Sequence, residues 1–144
     1  MWTGDMARQA GDIERTRLMH RLGRTDLRAV PEARHALRSL LEDWGGPGQS
    51  ETAELLATEL VTNALLHTDG EAVLTATVDS YSLHVEVRDF APRIPKPRSP
   101  IPDNGTHGRG LMLVQSLADA WGVRAPSGER SGKVVWFELQ AGGP

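Results

Sequence analysis

The 144-residue sequence contains no cysteine, so it can hold neither a disulfide framework nor a thiolate metal site. That absence fits a reducing compartment. No apolar run approaches the ~20 residues of a membrane-spanning helix, and the N-terminus lacks the basic-then-apolar layout of a secretory leader. The expected location is the cytoplasm, with no membrane partner. A basic excess is missing too: 16 Lys and Arg stand against 19 Asp and Glu, a net charge of −3. No global positive field draws nucleic acid. Aromatic residues make up only 5% of the chain. Trp44, Trp121 and Trp136 bear no mark of a base-stacking platform and are assigned to core or interface. No histidine pair shows metal-ligand spacing within a motif.

What is present fits one folded domain, with 39% apolar and 24% charged residues. Residues 1–14 are polar and aperiodic and read as a flexible tail, leaving 15–144 as a single domain. Alternation from Arg15 to Leu22 predicts a short edge strand. Pro31 suits a first helical turn, and Ala33, Leu37, Leu40, Leu41 and Trp44 follow at helical spacing until Gly45-Gly46-Pro47-Gly48 stops the helix. A second helix is expected from Ser50, as N-cap, to His67. Strands follow at Glu71–Val78 and Tyr81–Asp89 around a tight turn at Asp79-Ser80. Residues 90–108 hold five of the nine prolines and form a long loop of the kind that usually has a function. A third helix is expected to start near Arg109, with Leu111, Val114, Leu117, Ala118 and Trp121 along one stripe. Strands at Trp121–Ala125 and Lys133–Gln140 complete the pattern. The fold class is α/β, an α+β sandwich with a mixed, largely antiparallel sheet and about three helices on one face.

Three features do not fit a plain core. On the second helix, Ala53, Leu55, Leu56, Leu60, Ala64 and Leu66 form the stripe that must meet the sheet. Glu59, Asn63 and His67, at i, i+4 and i+8, fall inside the same arc. A carboxylate and an amide there cost several kcal/mol unless satisfied. Either they form a structural hydrogen-bond network, or a cavity lies between helix and sheet and they face a ligand. On the next strand, Asp89 shares the parity of Leu83, Val85 and Val87, which points a carboxylate inward at the mouth of the long loop. An Asp that merely anchors the loop is the plainer alternative. Gly105-Thr106-His107-Gly108-Arg109-Gly110-Leu111 then opens the third helix. Glycines allow close backbone approach to a phosphate, and the helix start supplies N–H donors. The run is neither a dinucleotide-binding fingerprint nor a Walker A loop.

Together these segments resemble the ATPase superfamily that includes gyrase, heat-shock chaperones and histidine kinases. Glu59-Leu-Val-Thr-Asn63-Ala-Leu-Leu-His67 is similar to its N-box, Asp89 to the aspartate of its first glycine box, and Gly108-Arg109-Gly110-Leu111 to its second. Order and spacing agree over about residues 50–140. The Glu-Leu-Val-Thr-Asn wording and the short length look most like stand-alone anti-sigma-factor serine/threonine kinases of actinobacterial type.

The resemblance implies a histidine-kinase-like ATPase fold that binds ATP with Mg²⁺. It implies that Asn63 offers an oxygen to the metal and that Glu59 is the base on an attacking hydroxyl or water. Asp89 would accept the adenine amine. Residues 90–108 would be a lid, and Gly105, Thr106, Gly108, Arg109, Gly110 and Leu111 would surround the phosphates, with His67 at the pocket wall. Implied partners are a sigma factor, an anti-sigma antagonist protein, or both, and a homodimer. The chain departs from the family in one place: Phe90-Ala91-Pro92-Arg93 follows Asp89 where the first box continues Asp-x-Gly-x-Gly. A nucleotide-dependent binding module with little turnover is the alternative to a kinase.

Overall fold

A computed structural model describes residues 15–23, 28–66, 71–90, 106–126 and 132–142, with residues 106–110 described in backbone only. The elements run β1 (Thr16–Gly23), α1 (Ala29–Leu40), α2 (Gln49–Leu66), β2 (Glu71–Val78), β3 (Ser82–Asp89), α3 (Thr106–Leu117), β4 (Ala120–Arg124) and β5 (Val134–Gln140). Among the described residues they form one five-stranded sheet in the order β1-β2-β3-β5-β4. All four pairings are antiparallel, so the expected mixed character reduces to a wholly antiparallel sheet. None of the described helices is long and apolar enough to cross a membrane.

Period-two alternation builds the sheet. β2 and β3 bury every second residue, Ala72, Leu74, Ala76 and Val78 on one strand and Leu83, Val85, Val87 and Asp89 on the other. These meet Leu22 of β1, Phe137 and Leu139 of β5 and the apolar faces of the helices in one core. Leu22, Phe137 and Leu83 are fully enclosed, and each such side chain stabilises the fold by ~1.5–3 kcal/mol. Asp79 shapes the β2–β3 turn: its Oδ1 accepts the N–H groups of Tyr81 and Ser82 at 2.7 and 2.9 Å. The same turn anchors the end of the first helical segment, because Trp44 Nε1 donates to the Asp79 carbonyl at 2.9 Å. β1 lies at the sheet edge, as its alternation predicts.

The helices differ from expectation at their ends. α2 starts at Gln49, so Ser50 lies inside the helix rather than capping it. The Gly48 carbonyl accepts the Thr52 N–H instead, and the Gly48 φ of +84° suits the bend before the helix. α3 begins at Thr106, three residues before Arg109, and includes Gly108 and Gly110. Trp121 is not on its stripe. The helix ends at Leu117, the Asp119 N–H then pairs with the Glu138 carbonyl, and Asp119 Oδ2 accepts the Gln140 N–H. Those bonds draw the chain into the sheet, which places Trp121 on β4.

Leu55 and Leu66 are also corrected: both are exposed, at 43% and 53%, while Ala57, Val61 and Leu65 are buried. α2 packs between α1 and α3 as well as on the sheet, and this widens and rotates its buried arc. At about 100° per residue, the arc centres near Leu60 and Ala64, and Leu55 and Leu66 fall beyond its rim.

Glu54 clamps α1 to α2. Its carboxylate takes Arg34 Nη2 at 3.0 Å and Nε at 3.2 Å, and Arg38 Nε at 3.1 Å. The hydrogen bond from Arg38 holds the Glu54 carboxyl below its ordinary value of 4.5, against the upward push of burial and with help from Arg34. A carboxyl depressed in the fold contributes stability that is complete above its unfolded value and lost as pH falls through the folded one. Stability should therefore decline as pH falls below the ordinary carboxyl value of 4.5, and Glu54→Gln should flatten that slope. Urea midpoints across the range check it, and parallel slopes in the two proteins would remove Glu54 from the account.

Candidate functional site

The site begins where β3 ends. Asp89 is the last residue of the strand and is 3% exposed, and with Asn63 it is one of two buried polar residues among those described. The Arg88–Val134 pairing extends one step further, as the Asp89 N–H donates to the Lys133 carbonyl at 2.9 Å. Lys133 returns two donors to the carboxylate. Its N–H reaches Oδ1 at 3.2 Å, and its Nζ reaches Oδ2 at 2.7 Å. Gly132 makes this approach possible. A Cβ there would lie 2.1 Å from the Asp89 carbonyl oxygen, and its φ of +98° disfavours any side chain.

Asp89 and Lys133 share a cavity of ≈ 70 Å³ with Asn63, Leu60 and Ala64 of α2 and Leu111 of α3. Val87, Val123 and Val135 supply its sheet side. One end therefore carries an acceptor, the walls are aliphatic, and an amide projects from the helix. Asn63 is 6% exposed and its Oδ1 is shielded from solvent. Glu59, one turn earlier, is half-buried and does not line this cavity. Its Oε1 is out of solvent and has no hydrogen-bond partner among the described residues.

The structure thus brings Asn63, Asp89 and Leu111 to one cavity, with Glu59 on the same helix outside it. Thr106, Gly108, Arg109 and Gly110 form the first turns of α3, and their side chains lie outside the described set. His67 and Gly105 lie outside the described residues, as do residues 91–105 of the expected lid. Phe90, at the lid's root, turns to the opposite face of the sheet from Asp89. The guanidinium of Arg88 sits 4.4 Å from its ring centre, and that of Arg21 sits 5.6 Å away. These cation–π contacts fix the point where the loop departs.

The lining suits a purine nucleotide. The Asp89 carboxylate can accept a base amine, and aliphatic walls can cover a flat ring. The described residues contain no cluster of three or more Asp, Glu, His or Cys side chains fit for a metal. A cation at Asn63 would take one amide oxygen and fill its shell with water and phosphate oxygens, as Mg²⁺ does beside nucleotides.

Residues 24–139 match the histidine kinase-like ATPase domain. The chain belongs to that family, and the antiparallel sheet with its three helices is the corresponding α+β fold. A search of curated proteins gave no significant match. Family membership supports ATP binding and a regulatory, kinase-like role.

Sequence reasoning missed Gly132 and Lys133. The available signal was a glycine one residue before an expected strand, where close backbone approach is a common reason for glycine. Its partner across the sheet could not be read without the register.

Asp89→Asn places an amide where a base amine needs an acceptor. It should weaken ATP binding about tenfold to hundredfold, the cost of one charged hydrogen bond. Calorimetric titration checks this, and unchanged affinity in a folded variant would locate the base elsewhere.

Proposed function

We propose that this chain is a Mg²⁺–ATP-binding regulatory protein acting as an anti-sigma-factor serine/threonine kinase. Its substrate would be an anti-sigma antagonist protein, and the same chain would also hold a sigma factor. The observation that carries the kinase reading is Glu59. A carboxylate oxygen kept from water, without a partner among the described residues, costs stability, and a catalytic role gives a reason for keeping it. It sits one helical turn before Asn63, the residue assigned to the metal.

In this reading Asp89 fixes the base and Asn63 fixes the metal through its amide oxygen. Mg²⁺–ATP supplies the transferable γ-phosphoryl group. Glu59 takes the proton of the attacking serine or threonine hydroxyl as its oxygen bonds to phosphorus, and ADP departs with the bond it breaks. Glycines in the first turns of α3 leave its N–H groups open to phosphate oxygens.

A second reading keeps nucleotide binding without turnover, so that ATP sets the lid and with it a partner surface. Two observations favour it: Glu59 does not line the cavity, and Phe90-Ala91-Pro92 stands where the family carries glycine.

Glu59→Ala separates the readings. It should abolish phosphate transfer to a partner captured from the source cell and leave Mg²⁺–ATP affinity within about twofold. The fold should be as stable as the wild type or more so. A wild type that transfers nothing, with a variant that still regulates its partner in an ATP-dependent way, would leave the binding module standing. The same titrations in EDTA should show clearly weaker ATP binding, because uncompensated phosphate charge would lie near the Glu59 carboxylate. Equal affinity without metal would remove the role given to Asn63.

A further inference from the structure

Asp89 is held by two donors of one residue, and those donors differ in freedom. The Lys133 N–H is fixed, because the neighbouring backbone bond and the tight seat of Gly132 lock this stretch to β3. The Lys133 ammonium is not fixed in that way. Its side chain is 43% exposed, while the carboxylate it caps is 4% exposed, and four rotatable carbons connect the charge to the backbone. The cavity thus ends in a movable cation placed on a stationary acceptor, and both residues line the cavity.

The two positions of that ammonium offer opposite hydrogen-bonding faces. With Nζ on Oδ2, this end of the cavity presents N–H donors, which suit the carbonyl oxygen of a 6-oxopurine. With the ammonium withdrawn toward solvent, Oδ2 is an acceptor, which suits the amine of a 6-aminopurine. An adenine nucleotide has to displace the ammonium before it reaches the carboxylate. We propose that Lys133 is a specificity-determining residue of the nucleotide site, a displaceable cation that competes with the 6-amino group of adenine for Asp89. The proposal rests on the nucleotide reading above. It adds that the chain weakens its own grip on ATP and narrows its preference for adenine over a 6-oxopurine.

The test is calorimetric titration of the full chain with Mg²⁺–ATP and Mg²⁺–ITP, which differ at the 6-position. Lys133→Met keeps the apolar stem and removes the charge. It should bind ATP about tenfold tighter relative to ITP than the wild type does, while Lys133→Arg should stay near the wild-type ratio. The ratio is the deciding quantity, because the long-range attraction of one positive charge for the triphosphate acts on both nucleotides alike. Lys133→Gln, a neutral polar variant expected to shift the ratio in the same direction, decides the matter if Lys133→Met does not fold. An unchanged or reduced ATP-to-ITP ratio in a folded neutral variant overturns the proposal and leaves nucleotide binding intact. Wild type and variants that bind neither nucleotide overturn both.

Discussion

A carboxylate inside an apolar layer must be met by donors, and at Asp89 that requirement organises the surrounding structure. Strand alternation carries Asp89 inward on the same side as Val85 and Val87. Satisfying it brings the start of β5 against the end of β3 through three contacts between Asp89 and Lys133. That closeness excludes a side chain at residue 132. The cavity exists because α2 and α3 rest on the sheet beside this point, where Asn63 and Leu111 face the same space. Glycine, lysine and aspartate thus form one unit drawn from two sequence-distant segments, and the strands between them supply the register.

The fold was largely legible because its signals are local. β2 and β3 alternate without interruption and are separated by an Asx-type turn, and on β3 parity alone assigned the inward residues, Asp89 included. The stripe of α2 was read correctly in its middle and wrongly at its rim. A wheel centred on sheet contact has no knowledge of the helices packed on either side, which cover Ala57 and Val61 and leave Leu55 and Leu66 in solvent. The start of α3 was placed late because glycine counts against helix, by about 1 kcal/mol per residue. Burial of Val114 further along the same helix outweighs that local preference.

The site was legible only where one element carries it. Asn63 and Asp89 announced themselves as polar residues in apolar positions, a conflict visible within a single helix or strand. Lys133 looked like an ordinary charge at a strand start. Its meaning depends on which residue stands across the ladder, and that follows from the β3–β5 register, 44 residues apart in the chain. Pairing of that range is set by the core as a whole and leaves no local trace.

The edge strand has a consequence of another kind. β1 pairs only with β2 among the described residues, so its far side offers backbone N–H and C=O groups to any extended chain that meets it. Such a margin is a template for accidental strand addition. Here it is guarded by charge: Arg15, Arg17 and Arg21 stand along an exposed stretch that also shows Met19 at 61% exposure. Arg15 and Arg21 lie against Asp79 and Glu71, which offsets part of their charge and leaves Arg17 to carry most of the repulsion between two such edges. That guard depends on ionic strength, because salt screens the repulsion between like charges on two approaching edges.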